Sequence, residues 1–386
     1  MTKEPLLFPK EQNLSADFLR SNFWKCNFTS SAKPLQYWIL LPNTVKVINV
    51  KAIEIEDLKL TSLGQYSSVG DVPYLEVQVI YEHIKYEMNP SDWLLKKLAL
   101  MGETVMNVRE ITGKSTGTYL DVLTYRKWPS GDDMVSRFTV FKDSDQTISG
   151  ANIFCVKATC LEKDYNNYAS VILQIVANWD FIHRTDWQLA ENLFPFEYKF
   201  AENVSFFVPE SWAIKFDKDN SDKFSRFLLE HDVVGENKGL INAHFYSLDA
   251  GTTLSDIFNK SFSRLSEIQH TISPLMPEKT SNPSILELST AVGTIIYEEE
   301  RDAAFLKIYL FKSTGGWYYF EQIGPKPNLE NDFWEINKRA IEMILDSFNN
   351  LGFLRKESVD EPPVIAKDPE PASTENRWLL PHWKKL

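Results

Sequence analysis

The chain has 386 residues, 43% of them hydrophobic and 24% charged, with a net charge of −12. One compact core rarely grows past roughly 250–300 residues, so two domains are expected. The acidity argues against nucleic acid or anionic lipid as a partner, because phosphate contacts need clustered Lys and Arg. The opening residues carry no apolar signal region, and no apolar run approaches the roughly 20 residues that span a bilayer, so no integral membrane segment and a cytoplasmic location are expected.

Residues 1–34 read as a polar N-terminal arm, with a short helix opening near Ser15. A first strand covers Tyr37–Leu41 and stops at Pro42-Asn43-Thr44. Residues 45–63 alternate apolar and charged positions, which favours strand or loop over helix. Tyr74–Tyr81 alternates with period two and reads as a strand. Asn89-Pro90-Ser91-Asp92 then starts a helix with Trp93, Leu94, Leu98 and Met101 at helical spacing, and Gly102 is placed to end it. Strands follow at Thr104–Thr112, Gly117–Lys127 and Arg137–Phe141, with a hairpin turn at Lys142–Asp145 and a return over Gln146–Thr159. One long helix is expected from Glu162 to Arg184, with Tyr165, Ala169, Ile172, Ile175, Val176 and Trp179 on its apolar side.

Beyond a connector at 185–196 the same order of elements returns. Trp38–Asn43 corresponds to Phe206–Trp212, Leu75–Tyr81 to Leu240–Leu248, and Trp93–Met101 to Leu254–Leu265. Thr116–Tyr119 corresponds to Val292–Ile295, each opening a strand, the second over Ile296–Arg301. Phe138–Phe141 corresponds to Leu306–Phe311 and the closing helix Asn166–Phe181 to Phe333–Phe348. Each unit reads β-β-β-α-β-β-β-β-α. The fold class is therefore α+β: two similar α/β/α sandwich lobes, each a mainly antiparallel sheet with helices packed on it. The lobes are placed at 35–184 and 197–352.

The pattern Phe207-Val208-Pro209-Glu210-Ser211-Trp212, Gly293-Thr294, Trp317-Tyr318-Tyr319-Phe320 and Ile344-Leu345-Asp346-Ser347-Phe348 resembles the PsbP/DcrB-like fold. The first unit resembles it through Pro42, Asn89–Leu94, Gly117-Thr118-Tyr119 and Ala177–Phe181. The resemblance implies a tandem of binding domains and no enzyme. It also implies kinship with the Eag chaperones of type VI secretion, which hold apolar effector segments.

Catalytic and cofactor readings have little to stand on. No His-x-x-x-His, Cys-x-x-Cys, P-loop or Gly-x-Ser-x-Gly occurs, so no metal, cofactor or catalytic residue is expected. His231 and His244 flank a hairpin and, with acids near Glu298, form the one dispersed constellation a hydrolase or transferase would use. Cys155 and Cys160 read as buried apolar groups. Glu298-Glu299-Glu300 reads as a charged strand edge. Arg109, Arg126, Lys127 and Trp128 form a small aromatic-basic set, too weak against the overall acidity for nucleic acid.

The C-terminal segment changes character. Residues 353–376 are an acidic, proline-rich linker with Pro362, Pro363, Pro369 and Pro371, too polar to fold alone. Residues 377–386 are basic and aromatic. Trp side chains are frequent interface anchors and flanking cations can pair with acids, so Arg377, Trp378, Leu379, Leu380, Trp383, Lys384 and Leu386 are the candidate partner-binding residues. The expected function is a non-enzymatic cytosolic adaptor or chaperone binding a protein partner through this segment, with the sheet faces as further contact surfaces, in a type VI-like bacterial secretion setting. The alternatives are a structural subunit of a large assembly and a hydrolase with a dispersed site.

Overall fold

The computed structural model describes residues 5–349, apart from 56–57, 71–73, 114–116, 128–130, 146, 186, 201–202, 218–219, 222, 249–252, 264–269, 297–302 and 329. The chain divides into two compact units, Met1–Glu191 and Asn192–Leu386.

In lobe 1, helix α1 (Ala16–Asn22) leads into β1 (Phe23–Phe28), β2 (Tyr37–Pro42), β3 (Val45–Asn49), β4 (Ile53–Ile55), β5 (Leu60–Ser68) and β6 (Leu75–Ile84). Then come α2 (Pro90–Leu100), β7 (Thr104–Gly113), β8 (Gly117–Lys127), β9 (Asp133–Ser144), β10 (Ala151–Leu161), α3 (Glu162–Ala177) and β11 (Trp179–Phe181). The main sheet runs β3-β5-β6-β10-β9-β8-β7, with β4 on β5, and a smaller sheet runs β1-β2-β11.

Lobe 2 opens with β12 (Leu193–Lys199), β13 (Asn203–Pro209), β14 (Trp212–Phe216), β15 (Phe224–Val233) and β16 (Glu236–Ser247). It continues through α4 (Leu254–Phe262), β17 (His270–Ile272), β18 (Met276–Glu278), β19 (Glu287–Ile296), β20 (Ala303–Lys312), β21 (Gly316–Pro325) and α5 (Phe333–Ser347). Its main sheet runs β14-β15-β16-β21-β20-β19-β17, with β18 on β19, and β12 pairs β13. Strand for strand this is the order of lobe 1. Along each main-sheet path three strands precede a helix, and a run of strands and a closing helix follow, with the last strand of that run beside the third. All described pairings are antiparallel.

Strand alternation places one helix on each face. In lobe 1, Val77, Val79, Phe154, Val156 and Ala158 join the core with Ala169, Ile172 and Ile175 of α3. The opposite face takes α2, which buries Trp93, Leu94 and Leu98. That helix starts as the sequence indicates: the Asn89 side chain accepts from the Ser91 amide, Pro90 stands in the first turn, and Gly102 adopts φ +70° just past the end. In lobe 2, Phe227, Ile241, Ala243, Phe245 and Phe320 pack with Ile341 and Ile344 of α5, while Leu228, Leu240, Leu306, Ile308 and Tyr319 form the other face with Ile257 of α4.

Four expectations are corrected. The helix from Glu162 ends at Ala177, because the next residues pair elsewhere: Trp179, Asp180 and Phe181 lie opposite Ile39, Trp38 and Tyr37. The turn expected at Lys142–Asp145 comes later, since β9 keeps its register to Ser144 opposite Ala151, and Gly150 at φ +125° closes the turn. Val292–Ile295 lies inside β19 and does not open a strand. Gly293 is needed there because the paired strand β17 lies close, and a Cβ would sit 2.3 Å from the Thr271 carbonyl oxygen. The strand expected to follow, from Ile296, falls mostly outside the described residues. Finally, within the arm expected over 1–34 the helix near Ser15 is present as α1, but it leads into a strand, β1, which buries Phe23, Cys26 and Phe28 against β2.

Candidate functional site

Two buried charges stand at core positions in lobe 1. Asp121 on β8 shares its face with Leu123, and Arg137 on β9 shares its face with Val135, both in the α3-side core. Neither charged side chain is exposed to solvent. Burying a charge is costly unless it is paired and hydrogen-bonded. Here the pairing is bidentate: Arg137 donates from Nε to Asp121 Oδ1 at 2.8 Å and from Nη2 to Oδ2 at 2.6 Å. Arg109, from the edge strand β7, adds a third bond from Nε to Asp121 Oδ2 at 2.6 Å. One carboxylate therefore holds two guanidinium groups in fixed orientation.

Each guanidinium group also donates once to a piece of main chain from the N-terminal arm. Arg137 Nη2 donates to the Pro9 carbonyl at 2.8 Å, and Arg109 Nη1 donates to the Lys10 carbonyl at 2.6 Å. The Phe8 ring lies 4.6 Å from the Arg137 guanidinium carbon, a cation–π contact. On the other side, Asn166 of α3 accepts from the Leu7 amide at 2.9 Å and donates to the Pro5 carbonyl at 3.3 Å. Asn178, which caps α3, donates to Gln12 Oε1 at 3.0 Å. Along this stretch Leu6 and Phe8 pack on the core while Pro5 and Leu7 face out, the alternation of an extended strand.

The arrangement is a clamp between α3 and strands β7–β9 that grips a peptide by its backbone. A carboxamide matches a peptide group donor for acceptor, and guanidinium forks suit carbonyl oxygens. Side-chain choice enters through the partly buried Leu6, Phe8 and Pro9 and through the Gln12 carboxamide. The residue types gave one early signal: Asp121 and Arg137 sit at inward-facing positions of otherwise apolar strands. Sequence reasoning placed Arg109 in a basic surface set and assigned no role to the others.

Beside the clamp, β7 forms an edge of the sheet, and Val105, Met106 and Val108 are exposed on it. At another side of lobe 1 the stretch 185–191 is fastened down. The buried Glu87 accepts from Lys142 Nζ at 2.6 Å and from the Ala190 amide at 2.8 Å. Asp143 accepts from the Thr185 hydroxyl at 2.8 Å and from the Thr185 amide at 3.3 Å. Burial pushes the Asp143 carboxyl up to about 6, against the opposing pull of the Thr185 bonds and of Arg184.

The dispersed histidine constellation is not assembled. His231 stacks on Trp212 in the α5-side core, whereas His244 stacks on Tyr319 in the α4-side core. Burial lowers His231 to about 4 and keeps it neutral. Glu298, Glu299 and Glu300 lie outside the described residues, as do Trp128 and the residues expected to bind a partner, Arg377, Trp378, Leu379, Leu380, Trp383, Lys384 and Leu386. Cys155 and Cys160 are both buried on β10, and their odd separation directs them to opposite faces. Burial raises both thiols, Cys160 to about 12. Among the described residues no cluster of three or more His, Cys, Asp or Glu is arranged to hold a metal ion, and no helix is long and apolar enough to cross a membrane.

No family model matches the chain, and no curated protein is found similar to it. Solved structures similar to it include cyanobacterial PsbP (CyanoP) from Synechocystis sp. PCC 6803, at 12% identity and a TM-score of 0.31, covering 41% of this chain and 92% of that one. The apo immunity protein TplEi of the T6SS from Pseudomonas aeruginosa aligns at 9% identity and a TM-score of 0.23, over 84% of this chain and 98% of its own. A chain of the Tle4–Tli4 complex aligns at 10% identity and a TM-score of 0.23, over 86% and 99%.

Proposed function

We propose that the chain is a non-enzymatic adaptor or chaperone that binds protein segments in extended form, with the lobe 1 clamp as its gripping site. The observation that carries this reading is the set of main-chain bonds to residues 5–10: two from Asn166, one from Arg137 and one from Arg109. Recognition of backbone by fixed side-chain donors gives affinity with broad sequence tolerance, as a carrier of varied segments requires. The basic, aromatic segment 377–386 is the second contact, docking the adaptor to its partner. The narrower setting, a type VI-like bacterial secretion system in the cytoplasm, comes from the sequence resemblance to secretion chaperones.

The test uses the full chain with its resident arm weakened by Leu6→Ser and Phe8→Ala, the two residues that pack on the core. A fluorescent peptide of residues 4–12 is expected to bind saturably, and Asn166→Ala is expected to weaken that binding about 5–30-fold while the circular dichroism spectrum is kept. A folded protein that never saturates would overturn the reading. A second reading, a subunit of a larger assembly, is favoured by the open apolar edge at Val105, Met106 and Val108, since long exposed edge strands pair with other chains.

A further inference from the structure

We infer that Thr185 and Trp187 form a proton-operated latch with Asp143: it closes while Asp143 is a neutral acid and loosens when Asp143 ionises. The latch is independent of the clamp and lies within the unit Met1–Glu191. Thr185 Oγ1 stands 2.8 Å from Asp143 Oδ1 and 2.6 Å from the Trp187 carbonyl oxygen. Two oxygens approach this closely when a hydrogen lies between them. A threonine hydroxyl has one proton to give, a carbonyl oxygen has none, and an ionised carboxylate only accepts. Both contacts are hydrogen bonds at once only if Asp143 supplies the second proton. Its O–H then donates to Thr185 Oγ1, and the Thr185 O–H donates to the Trp187 carbonyl. The Thr185 amide donates to Asp143 Oδ2 at 3.3 Å. The Ser144 amide donates to the same Trp187 carbonyl at 3.2 Å and ties it to the end of β9.

When the carboxyl proton leaves, the one hydroxyl proton must serve either the carboxylate or the carbonyl. A charged acceptor makes the stronger bond, so the carboxylate takes it. The Trp187 carbonyl then faces a bare oxygen at close range, and the contact turns from attraction to repulsion. The surroundings favour the closed, neutral form. Asp143 is 2% exposed. Burial pushes its carboxyl up to about 6 and Asp180 adds to the rise, while the Thr185 bonds and Arg184 pull the other way. The neighbouring charges are largely engaged with one another. Arg184 pairs with Asp180 at 3.6 Å. Lys142, next along β9, points to the other face of the sheet and pairs with Glu87 at 2.6 Å. Across the ladder Asn152 stands opposite Asp143 in register, donates to Asp145 Oδ2 at 3.3 Å and meets His83 Nδ1 at 3.0 Å. Asp186 lies outside the described residues. Proton uptake thus fastens the segment that carries the half-exposed Trp187, and proton loss lets it go.

The experiment measures amide hydrogen exchange at Thr185 and Ser144 in the full chain at pH 5 and pH 8, each corrected for the intrinsic rate at that pH. The opening equilibrium of the latch is expected to be about tenfold larger at pH 8, because the closed form holds its proton to a higher pH than the open one. Asp143→Asn is the locked variant. Its amide N–H donates to Thr185 Oγ1 at every pH while its carbonyl still accepts from the Thr185 amide, so protection is expected to match the pH 5 value at both pH values. Thr185→Val removes the shared hydroxyl and is expected to lose the protection of Ser144 at both. Equal protection at pH 5 and pH 8 in the unmodified chain overturns the inference, as does protection that rises with pH. A pH dependence that survives Asp143→Asn also overturns it, by assigning the titration to another group. If the locked variant does not fold, the unmodified chain decides alone: the Asp143 carboxyl carbon must titrate with the same midpoint as the Thr185 amide protection, and two different midpoints overturn the latch.

Discussion

His231 and His244 lie on neighbouring strands of one hairpin, yet the sheet stands between them: one ring stacks on Trp212, the other on Tyr319. The consequence for His231 is a pH dependence of lobe 2. Burial holds it to about 4, against the opposing influence of Asp232 and Asn337, whereas an unfolded chain releases its proton near 6.5. Between these values the unfolded state binds the proton and the folded state does not. Lobe 2 is therefore fully stable above about pH 6.5 and loses up to about 3 kcal/mol as the pH falls toward 4. His231→Gln should flatten that slope, measured by hydrogen exchange of the β15 and β16 amides at pH 7.5 and 5.

Asp143 gives lobe 1 the opposite slope. Its folded value of about 6 exceeds the ordinary 3.8 of an aspartate, so the folded state binds the extra proton. The stability it confers is present below about pH 4 and disappears as the pH rises through 6. Asp143→Asn should stabilise lobe 1 by about 1–2 kcal/mol at pH 8, allowing for partial solvent screening, and give no gain at pH 4. Urea denaturation followed at both pH values tests the difference.

The clamp separates two kinds of damage. Asp121→Asn strips the shared partner from Arg137 and Arg109, and an uncompensated buried charge costs about 3–5 kcal/mol. Asn166→Ala removes two bonds to the arm at a cost of about 1–2 kcal/mol. The first variant should lower the unfolding midpoint of all lobe 1. The second should leave that midpoint nearly in place while the Leu7 amide loses its exchange protection.

Ending the chain at Lys356 removes the whole basic, aromatic segment. The docking role predicts that partners captured by the full chain vanish with this truncation, while circular dichroism and melting of the two lobes stay unchanged. Identical capture by both chains would move the docking surface to the lobes.

The open edge of β7 makes its own prediction. Val105→Lys with Val108→Lys should leave lobe 1 folded, because both side chains are exposed. It should weaken any self-association seen by sedimentation velocity, since edge lysines block strand pairing.

The sequence made the long, regular elements legible. Leu75–Ile84 alternates cleanly, and α2 is bracketed by Asn89 and Gly102. The shared strand order of the two lobes was visible as a repeat of landmarks. Where reading failed, a distant partner overrode the local pattern. Trp179 continues the helical spacing of α3, but its backbone is taken by Ile39. Gly293 looks like a strand opener, but the close backbone of the paired strand β17 explains it. The clamp draws on residues 5–10, 109, 121, 137, 166 and 178, which only the sheet brings together. Inward-facing charge at Asp121 and Arg137 was its single local trace.

The sheet order also dictates how each lobe must be built. In lobe 1, β10 is the last strand of the main sheet to be made and it sits between β6 and β9, pairing Cys155 with both Ile80 and Val140. Lobe 2 repeats this with β21 between β16 and β20, where Phe320 joins Ala243 and Tyr309. Until that strand arrives, each lobe is two separate half-sheets with raw edges facing the gap it will fill. Such non-local closure is slow and leaves the intermediates prone to aggregation. Each lobe thus has a keystone near its end, and a nascent chain stopped just short of residue 151 or 316 would carry nearly the whole lobe with no continuous sheet.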